Sequence, residues 1–509
     1  MLRHIRIVLA SIFFIAITLL FLDLTGVMHL WFGWMAKVQF LPAVFAANFA
    51  VVAGLVLLTL IFGRVYCSVI CPMGVFQDIV SRLRVTRDRR RKNHKHFAFS
   101  GEKRIVRYGV LILFISALLI GFHAFVAILA PYSSYGRIAQ NLFAPIVQGI
   151  NNLFAIIAER AGSYAFYTRD VWIHSLPTLI IAAITFVVVV ILAWKGGRTY
   201  CNTICPVGTV LGLLSRFSLF RPVIDREACK NCRVCEHNCK ASCIDISTHS
   251  IDASRCVSCF DCIDNCKFSA LKYRFAYGRK DAASEALGQS PGMTGESSDT
   301  SRRAFLIGAA ALATTAVAKA QQKKVDGGYA AVMDKKVPHR DIPVTPFGSR
   351  SVKDFYNRCT ACQLCVATCP NGVLRPSTDF DRLMQPEMSY ERGYCRPECT
   401  KCSEVCPAGA ILPITPEEKT SYKVGLARVD RDLCVVETKG VSCGNCARRC
   451  PVGAIRMVLK DPSDPKSLRI PTVIETRCIG CGACENLCPS RPISAITVNG
   501  RENHIEKLF

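Results

Sequence analysis

The spacing of the cysteines constrains this chain more than any other feature. The 509 residues contain 29 cysteines, and two groups, Cys229–Cys239 and Cys256–Cys266, follow the pattern C-x2-C-x2-C-x3-C. A tight loop with this spacing wraps three thiolates around one [4Fe–4S] cube, and its fourth cysteine reaches a second cube. Disulfide frameworks show no such repeat, and zinc sites need paired C-x2-C knuckles with a longer spacer. The pattern therefore predicts cluster binding in a ferredoxin-like α+β domain.

The rule that each fourth cysteine serves the other cluster gives the ligand sets of this first pair. The predicted sets are Cys229, Cys232, Cys235 and Cys266, and then Cys256, Cys259, Cys262 and Cys239. Lysine follows each fourth cysteine where proline is usual, but that proline ends a turn and is not a ligand. Cys243 lies outside the groups and is predicted to be a small buried residue.

Four further groups, each ending in C-P, occupy the C-terminal part of the chain. They are Cys359, Cys362, Cys365 and Cys369; Cys395, Cys399, Cys402 and Cys406; Cys434, Cys443, Cys446 and Cys450; and Cys478, Cys481, Cys484 and Cys488. The second and third groups are stretched at their first spacing, as happens when one two-cluster ferredoxin is inserted into another. We therefore expect the first group to pair with the fourth, and the second with the third. The expected sets are Cys359, Cys362, Cys365 and Cys488; Cys478, Cys481, Cys484 and Cys369; Cys395, Cys399, Cys402 and Cys450; and Cys434, Cys443, Cys446 and Cys406. The six groups together predict six [4Fe–4S] clusters.

Two matching motifs contain four of the remaining cysteines. They are GRVYCSVICPMG, with Cys67 and Cys71, and GRTYCNTICPVG, with Cys201 and Cys205. Their similarity indicates a pseudo-symmetric pair of two-helix units, in which the four thiols could meet. These thiols could hold a further metal or cluster, form redox-active dithiols, or be structural.

Four long apolar runs lie in the first two hundred residues. They are about Ile7–Leu24, Val44–Gly63, Ile105–Ala130 and Ile173–Trp194. Each approaches the ~20 residues that cross a bilayer as a helix. The segment Ser81–Arg104 contains ten Lys or Arg residues, so the positive-inside rule makes it cytoplasmic. Topology therefore explains the basic charge, and no nucleic-acid partner is needed.

The segment SRRAFLIGAAALATTAVAKA, Ser301–Ala320, has the layout of an export signal although it lies far inside the chain. Its two arginines fit the twin-arginine pattern. The alternative is a fifth membrane anchor with ordinary positive-inside arginines. Both interpretations place the domain that follows outside the cytoplasm.

The expected fold class is therefore multidomain. A four-helix transmembrane domain with both C-x3-C-P motifs spans 1–220, and a cytoplasmic two-cluster ferredoxin-like domain spans 221–278. A linker (279–300), the twin-arginine signal or anchor helix (301–320) and a second linker (321–350) follow. A four-cluster ferredoxin-like α+β domain spans 351–509 and is expected to be periplasmic, beyond a bacterial inner membrane.

The chain resembles two proteins of periplasmic nitrate reduction systems, joined in one polypeptide. Residues 1–275 resemble NapH, the membrane quinol dehydrogenase subunit, in the four apolar runs, the twin GR-x-Y-C-x3-C-P-x-G motifs, the two ferredoxin groups and the segment PYSSYGRIA from Pro131 to Ala139. Residues 301–500 resemble NapG, its exported four-cluster partner. The signal inside the chain would then be the former start of the second protein.

This resemblance implies an electron-transfer protein that oxidises menaquinol from the membrane quinone pool. Its electrons would pass through the clusters to a periplasmic reductase or a small electron carrier. Candidate proton acceptors at the outer ends of the runs are Asp23, His29, His123 and His174, because ionisable groups within a membrane are functional candidates. The alternative is that they are ordinary interfacial residues, or that two of the histidines bind haem b.

Two competing functions remain open at this stage. One is a maturation or redox-regulatory factor, and the other is an electron route from a cytoplasmic ferredoxin outward. The sequence has no C-x-x-C-H, G-x-G-x-x-G or P-loop motif that would indicate covalent haem or a nucleotide. The sequence also shows no carrier between the inner and outer clusters.

Overall fold

The computed structural model describes residues 1–23, 26–90, 97–277 and 333–506. The expected linker at 279–300, the expected twin-arginine signal or anchor at 301–320 and the first part of the second linker lie outside the described residues. The described chain forms a helical N-terminal domain and two small cluster-type domains.

Three helices in the described residues are long and apolar enough to cross a membrane. They are α1 (Leu2–Leu22), α9 (Pro131–Arg160, with a π-helical turn at Ala139–Phe143) and α10 (Leu176–Gly196). Helices α1 and α10 coincide with the first and fourth apolar runs. The 21 residues of α1 span about 30 Å, the thickness of a hydrocarbon core.

The second and third apolar runs differ from the expected spans. The helix in the second run, α4 (Phe49–Phe62), has only 14 residues and begins at the side-chain cap of Asn48. The third run ends its first helix at Gly121, whose left-handed φ of 87° breaks the chain direction. Helix α9 was not expected as a span, because its first turns contain polar residues that are buried in protein rather than in lipid.

The remaining helices of the N-terminal domain are shorter or more polar. They are Met28–Lys37, Phe40–Phe45, Val65–Val69, Pro72–Arg90, Arg104–Ile120, His123–Leu129, Thr199–Thr203 and Pro206–Ser215. Each C-x3-C-P motif forms one short helix, and a second helix starts at its proline, a residue suited to the first helical position.

The first cluster-type domain is closed by an antiparallel pair of strands, Phe220–Ile224 and Leu271–Phe275. Between them lie the short pair Ile244–Asp245 and Ser250–Ile251 and the one-turn helices Val234–His237 and Asp261–Asp264. This α+β arrangement agrees with a ferredoxin-like fold. We call this unit the two-cluster domain.

The second cluster-type domain is built from three antiparallel strand pairs. They are Leu374–Pro376 with Pro386–Met388, Tyr422–Val429 with Ile496–Glu506, and Ile455–Leu459 with Arg469–Val473. Its helices are Val352–Arg358, Leu364–Thr368, Phe380–Arg382 (a 3-10 turn), Lys401–Val405, Pro416–Ser421, Val435–Lys439, Asn445–Arg448 and Ala483–Asn486. We call this unit the four-cluster domain.

The two cluster-type domains contact opposite ends of α1. At its N-terminal end, the Arg3 guanidinium bonds Asp261 and Asp264 of the two-cluster domain. Just beyond its C-terminal end, His29 lies 2.8 Å from the Thr368 hydroxyl of the four-cluster domain. The length of α1 therefore separates the two domains.

Candidate iron–sulfur sites

Four of the six cysteine loops share one backbone conformation. In the loop of Cys229, the non-glycine residues Asn231 and Arg233 have left-handed φ angles of 51° and 56°. The corresponding positions of three other C-x2-C-x2-C loops are also left-handed: Ser258 and Phe260, Ala361 and Gln363, Gly480 and Gly482. Such angles cost non-glycine residues of order 1 kcal/mol or more each. Their repetition indicates that these loops are shaped to wrap a common group.

One pocket in the two-cluster domain is lined by Cys256, Cys259, Cys262 and Cys239, the four residues of one predicted set, so its donor set suits a [4Fe–4S] cube. Cys243 also lines it, buried, with its sulfur 3.6 Å from that of Cys239. In the other predicted set, Cys229 and Cys232 lie near Cys235.

The four-cluster domain has two further cavities, each lined by four cysteines. One is lined by Cys395, Cys399, Cys402 and Cys369. The other is lined by Cys478, Cys481, Cys484 and Cys450. In both cases three cysteines of one group meet the last cysteine of a neighbouring group, as the ferredoxin rule requires.

These contacts correct the expected pairing of the four groups. Cys406, not Cys488, is near Cys359, Cys362 and Cys365. Likewise Cys488, not Cys406, is near Cys443 and Cys446. Cys369 and Cys450 have exchanged places in the same way. The groups therefore pair in sequence order, first with second and third with fourth, instead of one pair being inserted into the other.

The reason for this order is the packing of the short helices that follow each loop. Leu364–Thr368 packs against Lys401–Val405, and Asn445–Arg448 packs against Ala483–Asn486. The long first spacing of the second group is accommodated by buried Lys419, whose ammonium group donates to the carbonyl oxygens of Arg396 and Cys399. The sequence gave no signal of this role, because Lys419 lies twenty residues from Cys399 and belongs to no cysteine group.

The four cysteines of the C-x3-C-P motifs meet in the helical domain. Cys67, Cys71, Cys201 and Cys205 are all buried, and Arg64 and Arg198 of the same motifs lie beside them. The repeated GR dipeptide was the sequence signal for these two arginines, although their role was not predicted.

The four candidate proton acceptors all lie where the helical domain faces the four-cluster domain, but not in one site. Asp23 accepts hydrogen bonds from the backbone of Gly26 and Met28 and interacts electrostatically with His29. His123 bonds Asn357. His174 stacks on Trp172, which also lies against the guanidinium groups of Arg375 and Arg392.

Cysteine-lined cavities on repeated ferredoxin-type loops define this chain as an iron–sulfur electron-transfer protein of the ferredoxin type. When bound, [4Fe–4S] clusters supply single-electron transfer. Comparison with known protein families supports the same assignment. A model described as "4Fe-4S dicluster domain" matches residues 358–410 and 439–491, the same two pairs of groups that the structure brings together. A model described as "4Fe-4S binding domain" matches residues 44–92 and 177–225, around the C-x3-C-P motifs.

Curated relatives give the same class. The chain is 31% identical over 150 residues to the methylamine utilization ferredoxin-type protein MauM of Methylobacillus flagellatus, covering 29% of this chain and 63% of the relative. It is 28% identical over 185 residues to MauN of Paracoccus denitrificans, covering 35% and 49%. It is 21% identical over 206 residues to the putative electron transport protein YccM of Escherichia coli, covering 39% and 47%. The chain thus spans less than two thirds of each of these relatives.

Proposed function

We propose that the protein is a membrane-bound quinol dehydrogenase component. It would oxidise menaquinol where the helical domain meets the four-cluster domain, and pass the electrons to a periplasmic reductase or a small electron carrier. The observation that carries this proposal is the contact of His29 with Thr368, which joins a membrane-edge residue to a cysteine loop across 2.8 Å.

His29 has the properties of a proton acceptor for quinol. Its Nδ1 atom is buried and has no hydrogen-bond partner among the described residues. Burial lowers the pKa of His29, which keeps the ring neutral and able to accept a proton, while the Asp23 carboxylate acts in the opposite direction and would stabilise the protonated form. Oxidation of menaquinol to menaquinone releases two protons and two electrons, and His29 and Asp23 would receive the protons.

A quinol at His29 would have lipid on one side, from which it could enter, and a cysteine loop on the other. Helix Met28–Lys37 exposes Leu30, Trp31 and Trp34, the kind of residues found at membrane–water interfaces. Thr368 directly precedes Cys369, a predicted cluster ligand, in the chain. A quinol ring at His29 would therefore lie next to the loop that holds one of the outer cavities.

The experiment is reduction of the anaerobically purified full chain by a menaquinol analogue, followed by stopped-flow absorbance. General-base catalysis contributes roughly 100-fold or more, so His29→Gln should slow reduction by about that factor while iron content stays unchanged. His123→Gln is the matched control, since His123 lies at the same face but bonds Asn357. A His29→Gln protein that quinol reduces at the wild-type rate would refute the assignment of this site.

The second candidate function is an electron route from a cytoplasmic ferredoxin. It is favoured by the exposure of Cys232, a member of the first ferredoxin group. In that case reduced ferredoxin would reduce the wild-type protein rapidly, and the quinol analogue would not reduce it. The similarity to methylamine utilization proteins makes an acceptor other than nitrate reductase the second one to assay.

A further inference from the structure

The four thiols of the C-x3-C-P motifs form one enclosed group inside the helical domain. Each of Cys67, Cys71, Cys201 and Cys205 is at most 4% exposed. Each interacts electrostatically with the others. The ferredoxin-type groups do not include these residues, so the six predicted clusters leave them without a role.

The two motifs surround this group with pseudo-two-fold symmetry. The Arg198 guanidinium of the second motif donates to the Cys67 carbonyl of the first, over 2.7 Å. In return, Arg64 of the first motif donates to the Cys201 carbonyl, over 3.2 Å. Gly208 permits this approach, because a Cβ there would lie 2.2 Å from the Cys201 carbonyl oxygen. The reciprocal contacts fix the two pairs of thiols against each other.

The surroundings of the thiols carry excess positive charge. Arg64 and Arg198 are fully buried, and each has a guanidinium nitrogen without a hydrogen-bond partner among the described residues. The partners of Arg64 are neutral oxygens and sulfur, whereas Arg198 shares the carboxylate of Asp78 with Arg6 and Lys240. A buried cation without a counter-charge costs several kcal/mol. The site is therefore suited to an anionic group.

Hydrogen-bond donors also point at the sulfur atoms themselves. Buried Gln77 donates through Nε2 to the Cys201 sulfur over 3.1 Å. The Gly208 backbone N–H donates to the Cys205 sulfur over 3.3 Å, at the start of a helix. Such donors stabilise thiolates and are the groups that adjust the potential of iron–sulfur centres.

We propose that Cys67, Cys71, Cys201 and Cys205 together hold one [4Fe–4S] cluster inside the helical domain, additional to the six of the ferredoxin-type domains. Four cysteine thiolates are the usual ligands of such a cluster, whose negative charge would balance the buried arginines. The "4Fe-4S binding domain" model matches each half-site and ends before the first ferredoxin group begins.

The proposed cluster would lie between the two-cluster domain and the four-cluster domain. It would therefore supply the electron carrier between the inner and outer clusters that the sequence did not show. On one side, Arg64 bonds the carbonyl of Ser254, two residues before the ligand Cys256. On the other, Tyr200, next to Cys201, lies 3.4 Å from the Leu129 carbonyl. Nearby Arg137 contacts the carbonyl of Ala361, which precedes the ligand Cys362.

Electron tunnelling falls off exponentially with distance, so a direct step along the ~30 Å of α1 would be slow. A centre between the domains divides that distance. Each step would move one electron from a reduced to an oxidised cluster, and no bond or proton would change place.

The test is a comparison of iron and acid-labile sulfide in full-length chains purified without oxygen. The wild type should contain about 28 iron atoms per chain, and replacement of all four cysteines by serine should reduce this to about 24. Ser68→Ala is the matched control, because Ser68 is a buried residue of the same motif that bonds only a backbone carbonyl. Equal iron and sulfide content in the wild type and the quadruple variant would overturn the proposal.

A single substitution tests the same site in case the quadruple cysteine variant does not fold. Gln77→Leu removes the hydrogen bond to the Cys201 sulfur and should shift one cluster signal in a redox titration followed by electron paramagnetic resonance to lower potential, at unchanged iron content. Unshifted signals would count against the site. Both readouts are independent of quinol, so failure here would leave the proposed function standing, whereas a wild type without iron would end both.

Discussion

Asp78 offers the sharpest test of how the helical domain and the two-cluster domain are held together. Its buried carboxylate lies 2.7 Å from Arg198 Nε and 3.0 Å from Lys240 Nζ, and it also bonds Arg6 of α1. These three cations come from separate parts of the chain. The carboxylate is therefore the shared counter-charge of a buried network.

Asp78→Asn should weaken the docking of the two-cluster domain strongly. Removing one partner of a buried ion pair costs about 3–5 kcal/mol, because the remaining charges stay buried without compensation. At about 1.4 kcal/mol per tenfold change, local opening should become at least roughly 100-fold more frequent. Hydrogen exchange reports this opening at the Arg198 amide, which donates to the Lys240 carbonyl over 2.8 Å.

Asp264→Asn is the matched control at the same domain boundary. Its carboxylate pairs with Arg3 over 2.6 Å, but both side chains are about one-third exposed. Exposed pairs contribute about 0–1 kcal/mol, so exchange should rise less than about fivefold. Similar exchange rates at the Arg198 amide in the two variants would refute the argument that burial makes Asp78 essential.

Two further predictions concern the four-cluster domain. The double variant Cys365→Ser/Cys406→Ser should lose about four iron atoms per chain, as each single variant should, because both residues serve one cluster. Cys365→Ser/Cys488→Ser should lose about eight, because these residues serve two clusters. Iron analysis therefore distinguishes the two pairings. Burial lowers the pKa of His504, which bonds Ser349. The unfolded chain therefore binds a proton more readily, and stability should fall as pH drops below about 6.5. Thermal unfolding of the wild type and of His504→Gln at about pH 7.5 and about pH 5.5 checks this, since equal losses would exclude His504 as the cause.

The apolar runs show where sequence reasoning succeeded and where it did not. The first and fourth runs form long helices because nothing interrupts them. The third is broken at Gly121, and the polar start of α9 at Pro131 concealed a helix that could cross a membrane. A search for unbroken apolar runs misses this helix, because its first turns contain polar residues, Arg137 among them, that are buried against other protein.

The sequence by itself determined the chemistry of the cysteine groups, because the spacing of three thiols within a few residues fixes a local loop. It also indicated the duplication of the C-x3-C-P motifs. Only the tertiary structure decided that Cys406 joins the first group and Cys488 the third. It also decided that the duplicated motifs place their thiols in one pocket between buried arginines. A distant fourth ligand depends on which loops pack against each other, and long-range packing of this kind leaves no mark in local spacing.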